Sequence, residues 1–386
     1  MARCLLLLIC AVLASCASAP PPAPPTAVFE DSLFAPPDEP VDASRLFALD
    51  DSMRHYLRSE IAVAMRHDGI LHGLFDALYR RDLLQLDYDA GTTRNAAQAF
   101  ADRKGNCLSL VIMTAAFARE LGLDVDYQAV TVEGTWSRSQ DLLFLSGHVN
   151  LTISQGVLKR TAGYDSASML TIDFLPSQEA EHLGAHPITE ETIVAMYMNN
   201  RAAEALARGR VDTAYWWARA AINTAPDFGS AYNTLGVIYL RHGDLLPAQQ
   251  VLSSILQRDP DQAQALNNLS IVFDRLGRAE EARGLRTHLA RLEPDPPYRY
   301  FFEGKAAMDR GDYNLARHWF KKEVQRAGYN SEFHFWLGLA DLHLGALEEA
   351  RREMTVALEN STNHDDFALY SGKLAYLRTH GAPVAQ

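Results

Sequence analysis

The chain has 386 residues, 48% hydrophobic and 22% charged, the balance of a folded globular protein with room for two or three domains. Its formal net charge of −12 excludes a general phosphate-binding surface, so nucleic acid is not an expected partner.

Residues 1–16 read as a targeting segment: Arg3 supplies a positive start and Leu5 to Leu13 a short apolar run. About ten apolar residues are too few to span a bilayer as a helix. Leu13-Ala14-Ser15-Cys16 resembles the lipobox of bacterial lipoproteins. That resemblance implies cleavage before Cys16 and acylation of its sulfur. Ala17 beside it resembles the outer-membrane sorting pattern, so the expected location is the bacterial cell envelope, lipid-anchored on the periplasmic side. Cys4 and Cys10 leave with the signal and Cys16 is consumed by lipid, which leaves Cys107 as one free thiol in an oxidising compartment. Residues 17–40 are Pro-rich, with Pro20-Pro21-Pro22-Ala23-Pro24-Pro25, Pro36-Pro37 and Pro40, and read as a semi-rigid polyproline linker.

Apolar spacing predicts helices over Ser52–Met65 and Gly69–Tyr79, then a loop through Asp87 to Thr93. Thr93 or Asn95 is the expected cap of a helix through Ala96–Ala101. Next comes Arg103-Lys104-Gly105-Asn106-Cys107-Leu108-Ser109-Leu110, where a polar turn hands over to an apolar run. Leu110, Met113, Phe117 and Leu121 recur at three and four, and Gly122 stops the run. Cys107 is thus expected in the first turn of a buried helix, beside the free N–H groups of that end. The helix dipole contributes only about 0.3–1 kcal/mol to a thiolate there. A reactive sulfur therefore needs an imidazole partner, and the imidazole a group to orient it.

From Val125 the period changes to two. Strands are predicted over 125–133 and 146–153, the second with His148, Asn150 and Thr152 on one face. Two more are predicted over 156–160 and 168–174, and Asp173 interrupts the last as a carboxylate that burial obliges to find a partner. Asp165 is the reserve orienter, and Gln98 or Tyr88 are the side chains available as a second oxyanion donor beside the Cys107 N–H. No metal pattern is present: His182 and His186 lack a third partner at ligand spacing. Phosphate-loop and dinucleotide fingerprints are absent as well, and no cofactor is expected.

Arg103-x-Gly105-Asn106-Cys107, Leu121-Gly122-Leu123-Asp124-Val125, Gly147-His148-Val149-Asn150 and Thr171-Ile172-Asp173-Phe174 together resemble the bacterial transglutaminase-like cysteine-enzyme family over residues 45–178. The resemblance implies an α+β, papain-like domain at 41–180. It implies Cys107 as nucleophile, His148 as base and Asp173 as orienter. No Trp follows Cys107 or His148, a departure from the animal transglutaminases, so protein cross-linking is not carried over.

Beyond Pro176 the chain repeats. Gly209, Gly243, Gly277, Gly311 and Gly345 are 34 apart, as are Ala214, Ala248, Ala282, Ala316 and Ala350. With Tyr232, Leu235, Gly236, Tyr239 and Pro260 they resemble the tetratricopeptide pattern, which implies an all-α solenoid of five units over 190–386, closed by a helix at Phe367–Arg378. At one inner-facing position of each first helix stand Asn199, Asn233 and Asn267, then Phe301 and Phe335. A column of Asn amides suits a peptide backbone, since each offers a donor and an acceptor. The expected function is membrane-anchored acyl transfer on a peptide or amide through a Cys107-His148-Asp173 triad, with the repeats recruiting a protein substrate or partner. The alternative is a non-catalytic scaffold lipoprotein for protein–protein contacts in the envelope.

Overall fold

The computed structural model describes residues 28–79, 84, 86–89, 91–139, 142–155, 169–174, 184–296, 298–361 and 364–380, with only the backbone described at 87–88, 131–139, 142–147, 364–365 and 378–380. Cys16, residues 17–27, the strand expected at 156–160, Asp165 and His182 lie outside the described residues.

The two expected N-terminal helices form as α1 (Asp51–Tyr56), a π-helical turn at Leu57–Ile61, α2 (Ala62–Asp68) and α3 (Ile70–Tyr79). Asp50 caps α1 by accepting from the Met53 amide at 2.8 Å. Two short strands, β1 (Asp87–Tyr88) and β2 (Lys104–Gly105), pair in parallel on either side of α4 (Ala96–Asp102). Of the two candidate caps, Asn95 takes the role. Its side chain accepts from the Gln98 amide, and Gln98 returns the bond to the Asn95 N–H. α5 (Cys107–Glu120) then starts at the Gly turn, and Leu108 through Ala118 are all buried.

β3 (Asp124–Ser139) and β4 (Leu142–Ser154) form a long antiparallel hairpin whose register shifts between Val130 and Thr135. β5 (Met169–Ile172) adds to β4, and β6 (Ala185–Ile188) adds to β3, giving the order β5-β4-β3-β6. The sequence pattern did not signal β6. Pro187 within it fits an edge strand, where a missing N–H costs least. Val149, Leu151 and Ile153 of β4 join one apolar core with Leu110, Val111, Met113 and Phe117 of α5.

Five helix pairs follow: α6 (Glu190–Ala207) with α7 (Val211–Thr224), α8 (Gly229–His242) with α9 (Leu245–Arg258), and α10 (Ala263–Arg275) with α11 (Ala279–Leu292). They continue with α12 (Arg299–Asp309) and α13 (Tyr313–Arg326), α14 (Ser331–His343) and α15 (Leu347–Glu359), and a last helix, α16 (His364–His380). The 34-residue glycines have φ between +74° and +104°, left-handed backbone that ends each first helix. The 34-residue alanines are completely buried, as close helix packing requires. The core that begins at Val28 and contains α5 runs on without a break to Ala282, so the first repeats are built onto the N-terminal domain.

One expectation is corrected. Residues 28–40, read as part of a free-standing linker, lie against α6, α7 and α8, with Val28 and Phe34 buried. Polyproline geometry is compatible with either state; the aromatic and charged surface of the repeats decides for the docked one.

Candidate functional site

The site starts at a turn that leaves little room. Arg103 is left-handed (φ 53°) and closes α4. A Cβ on Gly105 would stand 2.7 Å from Cβ of Ser109, so only glycine lets the turn fold onto the first turn of α5. Asn106 is the N-cap, its Oδ1 accepting from the Ser109 amide at 2.9 Å and from the Ser109 hydroxyl at 2.8 Å. Ser109 Oγ in turn accepts from the Arg94 amide at 2.8 Å. Cys107, a free half-buried thiol, is therefore held as the first residue of a rigid helix.

The imidazole comes from β4 and the carboxylate from beside it. Leu151 pairs with Ile172, so the next step of that antiparallel register sets Asp173 across from Asn150. His148 lies two residues back on the same strand face and is 4% exposed. Its Nε2 is 2.6 Å from Asp173 Oδ1, and Cys107 lies close enough to the ring to help raise its pKa. Burial by itself would depress the pKa of His148. The hydrogen bond to Asp173, followed by the proximity of Cys107, outweighs burial and holds it up at about 9. Cys107, His148 and Asp173, separated by up to 66 positions in the chain, are thus brought to one place.

Asn150 is a residue whose part sequence reasoning missed. Its Nδ2 donates to Asp173 Oδ2 at 2.9 Å, so both carboxylate oxygens are engaged and the plane of the group is fixed. The signal available beforehand was the two-residue period that put Asn150 on the face of His148. Beyond it on that face, the Thr152 hydroxyl meets that of Thr171 at 2.8 Å. Phe174 and Tyr79 stack obliquely, ring centroids 5.2 Å apart, with Tyr79 bonded to Thr114 of α5.

Gln98 is exposed, with its Oε1 committed to the capping box. Tyr88 pairs through its backbone with Gly105, and its side chain is outside the described residues. His186 lies exposed on β6. Among the described residues no group of three metal-ligating side chains occurs.

The Asn column is brought together in part. Asn233 Oδ1 accepts from Asn268 Nδ2 at 2.9 Å, while Asn267 is exposed and only 3.5 Å from Asn268. Asn199 Oδ1 is buried and has no partner among the described residues. Its neighbour Asn200 donates to Thr93 Oγ1, which also accepts from Asn106 beside Cys107. Phe301 and Phe335 depart from the column. Both are core side chains, since the inner face closes around aromatic packing in the last two units.

Two segments of the chain, residues 233–286 and 303–365, match the tetratricopeptide repeat family. A thermophilic tetratricopeptide protein of Thermus thermophilus is 21% identical, covering 47% of this chain and 99% of its own, with a TM-score of 0.31. PilF of Pseudomonas aeruginosa is 18% identical over 50% of this chain and 87% of its own, with a TM-score of 0.30. YrrB, described as having an unusual peptide-binding site, is 17% identical over 47% and 92%, with a TM-score of 0.25. No curated protein matches the chain. Both family segments fall between α8 and the start of α16, beyond the Cys107 site, and with the helix pairs and their 34-residue period they make the C-terminal half of this chain an all-helical tetratricopeptide-repeat solenoid.

Proposed function

We propose that the repeats recruit a protein or peptide and that the N-terminal domain, transglutaminase-like in its order of Cys, His and Asp, performs acyl transfer on it. The observation that carries this reading is the 2.6 Å contact of the His148 ring with Asp173, with Cys107 beside that ring at the start of a buried helix. A structural His on a strand needs one partner. This one is held by Asp173, which Asn150 fixes in turn, and its pKa is raised to about 9, the condition under which a neighbouring sulfur works as a nucleophile. The Cys107 sulfur attacks an amide carbonyl, forming a C–S bond, and the C–N bond breaks as His148 passes its proton to the leaving amine. Water or a second amine then attacks the thioester, His148 taking the incoming proton, and Cys107 is released. Water as acceptor makes the protein an amidase or protease; an amine makes it a transferase. Lipidation at Cys16 would hold the chain at the bacterial outer membrane, on its periplasmic side.

The scaffold reading is favoured by the family matches, which fall in the repeats alone. Repeats of this kind bind proteins or peptides, and a site of Cys, His and Asp without substrate access serves as a docking module. One experiment separates the two. Cells carrying Cys107→Ser are compared with wild type for loss of function, and purified protein is incubated with envelope extract and probed for a Cys107 thioester by mass spectrometry. Full function in the mutant, with no acyl adduct on the wild-type protein, sinks the catalytic reading and leaves the scaffold.

A further inference from the structure

Residues 28–39 cross the repeats as a ligand crosses a binding surface. Two side chains of this stretch, Val28 and Phe34, are buried, while Glu30, Asp31, Ser32, Leu33, Ala35 and Asp38 remain exposed. Val28 and Phe34 reach into the core, with Phe29 half-buried beside Arg219, and the rest of the segment rides on the surface. The grip on its backbone comes from side chains of the repeats. Tyr239 Oη donates to the Val28 carbonyl at 2.8 Å and accepts from the Glu30 amide at 2.9 Å. Asp212 accepts from the Ala35 amide at 2.8 Å, Trp216 Nε1 donates to the Ala35 carbonyl at 2.8 Å, and Thr213 Oγ1 accepts from the Asp38 amide at 3.2 Å. Pro36 and Pro37 have no N–H to satisfy and keep the stretch after Phe34 extended.

Side-chain recognition is equally ordered. Phe34 stacks on Tyr215 at 4.0 Å and 7°, with Tyr239 and His242 on its other sides. Three residues earlier, Asp31 accepts from the Tyr215 hydroxyl and from Arg219 Nε at 2.8 Å. Four and five residues later, Asp38 pairs with Arg210 and Thr213, and Glu39 with Arg201 at 2.9 Å and Trp217 Nε1 at 3.0 Å. Acids on the segment meet Arg219, Arg210 and Arg201 on the repeats, while the repeat carboxylate Asp212 takes a backbone amide. Arg201 is two residues from Asn199 on α6, about 200° around the helix at 3.6 residues per turn. This surface is therefore a different face from the Asn column.

We infer that the face made by α7, α8 and the end of α6 is a second peptide-binding site of the repeats. It takes a peptide that makes one 3-10 turn, at Asp31–Leu33, before an aromatic residue set between carboxylates, and residues 28–39 occupy it in cis. A partner bearing that pattern enters by displacing the tethered segment. The reading does not depend on the chemistry at Cys107.

The test uses a fluorescein-labelled peptide of residues 26–41 and the full chain, with binding read by fluorescence anisotropy. In a Phe34→Ala/Asp38→Ala chain, whose own segment is weakened, the peptide binds saturably. A second mutation, Tyr215→Ala, abolishes that binding, and so does Phe34→Ala within the peptide. Wild-type chain binds about 10- to 100-fold more weakly, because a short tether holds the cis segment at an effective concentration near mM. Absence of saturable binding to a folded variant overturns the inference, as does equal affinity for wild-type and variant chains. A milder Phe34→Leu chain guards against misfolding. If both variants lose their helical circular dichroism, the segment is an integral part of the repeat fold and the inference is overturned.

Discussion

The proton on His148 is the most direct handle on the site. Asp173→Asn keeps size and shape but removes the charge that faces Nε2 at 2.6 Å. It also sets an amide nitrogen against either His148 or the Nδ2 of Asn150, since both now donate into the same group. Wild-type His148 rises from 6.5 to about 9, against the opposing effect of burial, and that rise corresponds to roughly 3 kcal/mol at about 1.36 kcal/mol per pH unit. Asp173 heads the groups that raise it, so the variant should bring the midpoint down by at least about one pH unit, about 1.4 kcal/mol. The midpoint is read from the His Cε1–H proton resonance, identified among the 13 histidines by its disappearance in His148→Gln. Stability gives a second reading. A folded value above the unfolded one stabilises fully below about pH 6.5, and that contribution is lost as pH rises through about 9. The Tm difference between wild type and variant should be largest near pH 6 and close above pH 9. An unchanged midpoint in the variant would refute the claim that Asp173 holds this proton.

Four further outcomes follow from named contacts. Asn150→Ala frees one oxygen of Asp173 and should slow Cys107 alkylation by iodoacetamide at pH 6 about tenfold with little loss of Tm; an unchanged rate means the amide does not position the carboxylate. Gly105→Ala drives a Cβ to 2.7 Å from Ser109 and should cost about 1–3 kcal/mol in chemical denaturation, with a slower alkylation rate in whatever remains folded. Replacing Asn199, Asn233 and Asn267 by Ala should weaken partner capture while alkylation of Cys107 stays unchanged, at about 0.5–1.5 kcal/mol per lost hydrogen bond; untouched binding in the folded mutant reduces the column to surface. Cys16→Ser should abolish fatty-acid labelling and release the protein from the membrane fraction, and continued attachment would point to another anchor.

The repeats were legible in the sequence because their determinants are local. A left-handed glycine and a fully buried alanine recur every 34 residues, and each acts on its own helix pair or its neighbour. The Cys107 helix was legible for the same reason: the glycine turn, the Asn106 cap and the apolar run all lie within 20 residues. Family order pointed to His148 and Asp173, and two-residue periodicity set His148 and Asn150 on one face. Which group holds which oxygen of Asp173 was decided by the pairing of β5 with β4, a register that no local pattern encodes. The edge strand β6 was hidden because its Ala-His-Pro-Ile gives no alternation to read. The docked segment is the clearest case. Its prolines specify an extended chain and nothing more, while its position depends on Tyr215, Arg219 and Tyr239, about 180 to 210 residues away. Whatever lies within a turn or a repeat is set by neighbouring residues and can be read from them; contacts between distant stretches compete on packing and charge, and only the folded chain decides among them.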